Sequence, residues 1–122
     1  MILGRVRENV PLVLLSLPGR SGPREIEFVL DTGFEGDLSL PFGMAGSIDA
    51  RPAFGTLRAL ADGTIRRCPV YETELDWDCG SRTVQILILE GSPLLGTGLL
   101  LNCRVEIEFS EGGAVQIEFA GD

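Results

Sequence analysis

The sequence predicts an all-β fold, and three observations support this prediction. The 122 residues include 16 glycines and seven prolines spread along the chain, which favours many short strands joined by turns. About nine or ten runs have the composition of strands, whereas almost none has the periodicity of a helix. A chain of this length forms one hydrophobic core, so we expect a single domain over residues 1–122. On pattern alone, a closed barrel and a sandwich fit equally well.

The first half of the chain contains three predicted strands. Residues 10–17 form an apolar run, which the proline- and glycine-rich turn 18–23 closes. Residues 25–30 begin in alternation and then become continuously apolar, as expected for a strand that runs from the surface into the core. Residues 37–40 alternate and stop before a proline. The glycine-rich residues 42–52 are predicted to be irregular, with one helical turn.

The second half of the chain is predicted to consist mainly of hairpins. Residues 56–61 and 64–68 flank Asp62-Gly63, a dipeptide typical of the two-residue type I′ turn. Residues 70–77 and 83–89 are two further strands, joined by a short turn.

The last predicted hairpin joins residues 105–109 to residues 115–119 and has the clearest pattern in the sequence. One short helix is placed before it, at residues 99–103. The apolar face of the hairpin either packs inside its own subunit or supplies a dimer interface. Its residues are Val105, Ile107, Phe109, Val115, Ile117 and Phe119.

Charge and composition exclude several functions. The net charge of −8 argues against a nucleic-acid partner or an anionic membrane, because neither is attracted to an acidic surface. The chain has no histidine, which removes the usual general base and the commonest zinc ligand. Any acid–base chemistry is therefore expected to belong to carboxylates, without a metal ion or an organic cofactor.

The cysteines and the N-terminal run indicate a cytoplasmic protein. Cys68, Cys79 and Cys103 are odd in number and include no Cys-x-x-Cys pair, which argues against a disulfide framework or a zinc site. The run 10–17 follows basic residues as in a signal peptide, but no small-x-small cleavage site follows it. It is also far too short to span a bilayer.

The most informative motif lies at residues 28–33, Phe-Val-Leu-Asp-Thr-Gly, where an apolar strand leads into a carboxylate and a glycine. About sixty residues later comes a second apolar pair ending in glycine, Pro93-Leu94-Leu95-Gly96. This order of motifs resembles the retropepsin-like aspartic proteases over roughly residues 10–109. Residues 31–41 look most like the small single-domain prokaryotic members of that group.

The resemblance implies a six-stranded, closed acid-protease barrel with a flap hairpin and one short helix near the C-terminus. It implies that Asp31 is the catalytic carboxylate, that the Thr32 hydroxyl reaches the other subunit, and that Gly33 leaves room for substrate. The segment that packs behind the catalytic loop would be Leu94, Leu95 and Gly96. The flap would be Ala61, Asp62, Gly63 and Thr64.

The implied activity is hydrolysis of peptide bonds in an extended polypeptide. Such chemistry needs two adjacent carboxylates, one to take a proton from water and one, protonated, to polarise the carbonyl. The chain carries a single Asp-Thr-Gly, so the second Asp31 must come from a second copy in a two-fold homodimer. The expected partners are therefore a second copy of the chain and a peptide or protein substrate.

Several residues have a second interpretation. Asp31 could be an ordinary turn aspartate, and the Leu94-Leu95 pair could be plain core. Phe34 stands where viral members carry a small residue, and its ring either lines a substrate subsite or fills a hydrophobic pocket. Glu35 and Asp37 are solvated, bind the loop backbone or recognise the main chain of a substrate. A rival hypothesis keeps the fold without hydrolysis, as a dimerisation or peptide-binding module.

Overall fold

The computed structural model describes residues 1–59, 62–78 and 80–121, and these form an all-β fold with two helices of four residues each. The strands are β1 (Ile2–Arg7), β2 (Val10–Leu17), β3 (Arg24–Leu30), β4 (Leu38–Leu40), β5 (Arg51–Pro52), β6 (Thr56–Ala59), β7 (Ile65–Cys68), β8 (Val70–Trp77), β9 (Gly80–Ile88), β10 (Leu94–Leu95), β11 (Cys103–Ile107) and β12 (Ala114–Phe119). The helices are α1 (Phe42–Ala45) and α2 (Thr97–Leu100).

Ten of these strands form one mixed sheet in the order β11-β12-β1-β2-β3-β10-β4-β9-β8-β5, and β6 pairs with β7 alone. Most neighbours are antiparallel, but β10 runs parallel to β3 and β4 runs parallel to β9. The predicted all-β class is confirmed. Over the described residues the strand order has two ends, β11 and β5, so the pairing does not show a closed six-stranded barrel.

One hydrophobic core collects side chains from distant parts of the sheet. Leu75 and Trp77 of β8 belong to the same buried cluster as Val115 and Ile117 of β12. Phe28 of β3 belongs to the same cluster and is fully buried. Because strands far apart in the order share this core, the sheet must bend over itself rather than lie flat.

The sequence analysis predicts no strand before residue 10, and the structure corrects this, because residues 2–7 form β1. Strand β1 pairs with both β2 and β12, and Gly4 lies so close to β2 that a Cβ there would be 2.1 Å from the carbonyl oxygen of Leu12. Glu8 and Asn9 connect β1 to β2 with φ angles of 52° and 67°. Two consecutive positive φ angles are the geometry of a type I′ hairpin turn, in which asparagine is favoured.

The predicted C-terminal hairpin is present as β11 and β12, with Val105 opposite Ile117. Its inner face packs within its own subunit, because Val115 and Ile117 are fully buried in the core. Phe109 lies beyond the end of β11 and is 65% exposed, so the six apolar residues do not form one continuous face.

One predicted boundary differs from the structure, and another lies partly outside the described residues. In the hairpin β6–β7 the described pairing runs from Thr56 and Cys68 to Ala59 and Ile65, and residues 60 and 61, which precede the predicted turn Asp62-Gly63, lie outside the described residues. Helix α2 begins at Thr97, before the predicted start, and Cys103 already belongs to β11. Neither four-residue helix in the described part of the chain has the length that crossing a membrane requires.

Candidate functional site

Asp31 immediately follows β3, and hydrogen bonds to residues 93–95 fix the backbone at Asp31 and just before it. Its amide donates to the carbonyl oxygen of Leu95 at 2.9 Å, and two residues earlier the amide of Val29 donates to Pro93 at 2.8 Å. The carboxylate oxygen Oδ1 of Asp31 accepts a hydrogen bond of 2.8 Å from the amide of Gly33. The half-buried carboxylate therefore has a fixed position at the start of a tight turn.

The Leu94–Leu95 strand lies directly beside the Asp31 loop. It pairs in parallel with β3, where Leu95 is opposite Leu30, and antiparallel with β4, where Leu95 is opposite Leu38. Leu95 is fully buried. The Ser39 hydroxyl oxygen accepts a hydrogen bond of 3.2 Å from the amide of Leu94. The segment predicted to pack behind the catalytic loop is thus the strand that joins β3 to β4.

Gly96 is required by close packing rather than by its backbone angles. A Cβ at this position would lie 2.3 Å from the carbonyl oxygen of Gly36 and 2.5 Å from that of Phe34. The amide of Gly96 donates to the carbonyl oxygen of Asp37 at 2.9 Å. Only glycine allows the two backbone segments to approach this closely.

The first turn of α2 fixes the middle of the Asp31 loop. The amide and the hydroxyl of Thr97 both donate to the carbonyl oxygen of Phe34, at 2.8 Å and 3.3 Å. The amide of Gly98 donates to the carbonyl oxygen of Gly36 at 3.1 Å. Residues 31–37 are therefore bound along their length by residues 95–98, which makes the two segments one structural unit.

Asp37 is a structural residue of the site that the predicted site residues do not include. Its Oδ2 accepts a hydrogen bond of 3.0 Å from the amide of Gln85 on β9. A Cβ added to Gly98 would lie 2.5 Å from the Oδ1 of Asp37. Asp37 thus binds backbone, but that of β9 rather than that of its own loop, which differs from the interpretation given above. The bound amide belongs to a distant strand, which no local sequence signal identifies.

Phe34 fills a hydrophobic pocket of its own subunit. It is 2% exposed and belongs to a small cluster with Val70 and Leu87. Its ring covers Gly36, where a Cβ would lie 2.6 Å from the ring. The bulky side chain therefore packs beneath the loop that carries Asp31.

Thr32 and Gly33 are exposed beside the half-buried Asp31. A Cβ at Gly33 would be 3.2 Å from Oδ1 of Asp31, so glycine keeps the carboxylate accessible at this position. One chain supplies one Asp31. A site with two such carboxylates therefore needs two copies of the chain.

The predicted flap lies on the separate hairpin β6–β7, and Ala61 falls outside the described residues. Asp62, Gly63 and Thr64 are exposed. Oδ1 of Asp62 accepts hydrogen bonds from the amide and the hydroxyl of Thr64, at 2.9 Å and 2.7 Å. These hydrogen bonds lower the pKa of the Asp62 carboxyl below its ordinary value, and the bond from the Thr64 amide has the larger effect. Gly63 has a φ of 88°, which favours glycine.

The structure thus brings together two of the three predicted groups, residues 31–33 and residues 94–96, and adds Asp37 to them. Among the residues that the structure describes, no group of three or more cysteine, aspartate or glutamate side chains is arranged to hold a metal ion. Comparisons with protein-family models, with curated proteins and with solved structures found no match for this chain.

Proposed function

We propose that the chain is a retropepsin-like aspartic endopeptidase that acts as a homodimer. The observation that carries the proposal is the clamp between two segments, in which the amide of Asp31 is bound by Leu95 and the loop after Asp31 is bound by the start of α2. The clamp supports a catalytic role because it fixes a carboxylate whose surroundings, Thr32 and Gly33, are exposed.

The proposed chemistry uses the Asp31 carboxylates of two copies related by a two-fold axis. Two carboxylates in contact share one proton, because both cannot stay ionised at that distance. The ionised member takes a proton from water while the protonated member polarises the scissile carbonyl.

A closed acid-protease barrel is part of this proposal. Two contacts between distant strands support it, besides the shared core. Oδ2 of Asp78, at the end of β8, accepts a hydrogen bond of 2.8 Å from the amide of Phe119 at the end of β12. The same carboxylate is ion-paired with the amino group of Met1. Strands near opposite ends of the order thus meet, as they do when a sheet curls towards closure.

A mobile flap is also part of the proposal. The hairpin β6–β7 is hydrogen-bonded outside the ten-stranded sheet, and Ile65 at its end is 71% exposed. Among the side chains described on this hairpin, Ile65 near its tip is exposed and Cys68 at its base is buried, which suits a lid that is anchored at its base and closes its tip over an extended peptide. The free thiols of Cys68 and Cys103 support a reducing compartment, and we place the activity in the cytoplasm.

A second candidate function is a dimerisation or peptide-binding module that keeps the same fold without hydrolysis. The start of α2 favours it, because Thr97 and Gly98 stand where viral members carry an arginine followed by an acidic residue or asparagine. Gly98 lies against Asp37, where a Cβ would come within 2.5 Å of Oδ1, which leaves no room for a longer side chain. The ion pair that supports the loop in those enzymes is replaced here by backbone hydrogen bonds.

The experiment combines a measurement of the oligomeric mass with an assay of peptide cleavage. Sedimentation of the purified chain over a range of concentrations, at neutral and mildly acidic pH, measures the oligomeric state. A peptide library is then digested by the wild type, by Asp31→Asn and by Asp76→Asn, which changes an exposed carboxylate of β8. We expect a dimer whose cleavage is abolished by Asp31→Asn alone. A dimer without cleavage supports the binding module, and a monomer throughout refutes the shared carboxylate pair.

A further inference from the structure

Two adjoining clefts open where the segment after β4 folds back against the turn between β2 and β3. The first cleft has a volume of about 370 Å³. Leu40, Ile48 and Ile88 contribute to its apolar lining, and Tyr71 brings a phenol group to it. An apolar cleft of this size with few polar groups is the usual form of a small-molecule site.

The second cleft shares Arg20 and Gly46 with the first and has a volume of about 360 Å³. Its lining adds Arg24, Ser21 and Ser47, and contains no acidic residue. The chain therefore places an apolar cleft and a cationic cleft next to each other, with Arg20 at their junction.

Backbone hydrogen bonds fix the position of Arg20. Its amide donates to the carbonyl oxygen of Ser47 at 3.0 Å, and its Nε donates to that of Gly46 at 2.9 Å. The amide of Asp49 donates to the carbonyl oxygen of Pro18 at 2.8 Å, which ties the same two segments together. A guanidinium held in this way loses little further freedom when it binds an anion.

The charges of Arg20 and Arg24 have no acidic partner within the described parts of the chain, where the ion pairs involve Met1, Arg7 and Arg51 instead. The net charge of −8 repels anions at long range. At physiological ionic strength, however, such repulsion is screened over about 8 Å, so the two arginines dominate within the cleft.

We propose that the two clefts form one binding site for an amphipathic anion. The apolar chain of the ligand would lie in the first cleft, and its carboxylate would bind Arg20 and Arg24 in the second, where arginine can bind a carboxylate with two parallel hydrogen bonds. Asp31 lines neither cleft, so this site is separate from the proposed catalytic site and does not depend on it.

Calorimetric titration of the full chain with decanoate, below its micelle-forming concentration, tests the proposal. We expect one decanoate per chain and weaker binding at high salt. Decyltrimethylammonium and the non-ionic decyl maltoside carry the same tail and are expected to bind at least about tenfold more weakly, because they lack the anion.

Three variants locate the site. Arg20→Gln is expected to weaken decanoate binding about tenfold, the loss typical of one charge-assisted hydrogen bond. Arg104→Gln removes an exposed arginine of β11 and leaves binding unchanged. Gly46→Leu places a side chain at the junction and is expected to block the tail. A Cβ at Gly46 meets no atom within 4 Å and its φ is −64°, so the fold is retained.

Amide chemical-shift mapping gives a second measurement on the same samples. Saturable decanoate shifts confined to residues 18–24 and 40–50 and to the other lining residues, Tyr71 and Ile88 among them, support the proposal. It is overturned by absence of saturable binding, by equal binding of decanoate and decyl maltoside, or by an Arg20→Gln affinity equal to that of the wild type. Shifts in these residues that depend on protein concentration without ligand would identify a second copy as the occupant and also overturn it.

Discussion

The amide of Asp31 is bound to the carbonyl oxygen of Leu95 at 2.9 Å, although the two residues lie far apart in the sequence. This bond continues the parallel pairing of β3 with β10 by one residue beyond the end of β3. The position of the proposed catalytic carboxylate is therefore set by a two-residue strand from the second half of the chain. Changes on either side of this contact are expected to affect stability and the site together.

Gly96→Ala tests the close approach of the two segments. The new Cβ would lie 2.3 Å from the carbonyl oxygen of Gly36, and the backbone cannot yield without breaking the clamp. We expect a loss of about 2 to 3 kcal/mol in the free energy of unfolding, measured in urea. Gly43→Ala is the matched control, because a Cβ at Gly43 meets no atom within 4 Å, and it is expected to be neutral or slightly stabilising. Equal stability of the two variants would contradict the packing described here.

Asp37→Ala tests the link between the site and β9. The change leaves the amide of Gln85 without its acceptor, which costs about 1 to 3 kcal/mol when the group is shielded from water. We expect faster hydrogen exchange at Gln85 and a lower denaturation midpoint, with partial recovery in Asp37→Asn. Glu35→Gln, at an exposed position in the same loop, serves as the control. Unchanged exchange at Gln85 in Asp37→Ala would refute the link.

Protonation of Asp62 is expected to loosen the tip of the β6–β7 hairpin. Hydrogen bonds from Thr64 lower the pKa of this carboxyl in the folded chain, so the ionised form is the one that orders the tip. The stabilisation is complete above the ordinary value of 3.8 and is lost as pH falls through the lower, folded value. A carboxyl-carbon NMR titration measures the shift.

Thr64→Val removes the hydroxyl donor of that tip and keeps the amide. We expect the pKa of Asp62 to rise towards its ordinary value in this variant, but not to reach it, because the amide bond is the larger cause. An Asp62 pKa that is the same in the wild type and in Thr64→Val would show that the hydroxyl bond has no effect.

Trp77→Phe is expected to cost little stability despite the size of the side chain. Within the part of the chain that the structure describes, Nε1 of Trp77 is buried without a hydrogen-bond partner. Removing this donor relieves a desolvation penalty that offsets part of the lost packing, so we expect a change of about 1 kcal/mol or less. Leu75→Ala, on the same strand, should cost about 2 to 5 kcal/mol. Since Trp77 is the single tryptophan, circular dichroism replaces fluorescence as the probe.

The sequence pattern was sufficient for most strands because each has an alternating or apolar run with turn residues at its ends. Strand β1 was missed because its alternation is interrupted by Gly4 and its turn, Glu8 and Asn9, lacks the glycine that usually marks a type I′ hairpin. In the hairpin β6–β7 the expected tight turn stays a prediction, because residues 60 and 61 beside it lie outside the described residues.

The candidate site was predictable only where residues form a local motif. The residues around Asp31 and the Leu94-Leu95-Gly96 segment were identified in this way, and the structure places them side by side. The hydrogen bond from Gln85 to Asp37 was not predictable, because it joins two strands whose proximity depends on the whole sheet. Burial of Phe34 could not be decided either, since the same aromatic ring suits a subsite or a core.

The central position of β10 has a consequence for how the chain acquires its site. The Leu94–Leu95 strand enters between β3 and β4, two strands that are made much earlier during synthesis. Contacts between distant parts of a chain form slowly, because a long loop must close before they contribute. An N-terminal fragment that ends before this strand would therefore hold Asp31 in an unfixed loop, and an ordered carboxylate would arise only late in folding, after most strands of the sheet already exist.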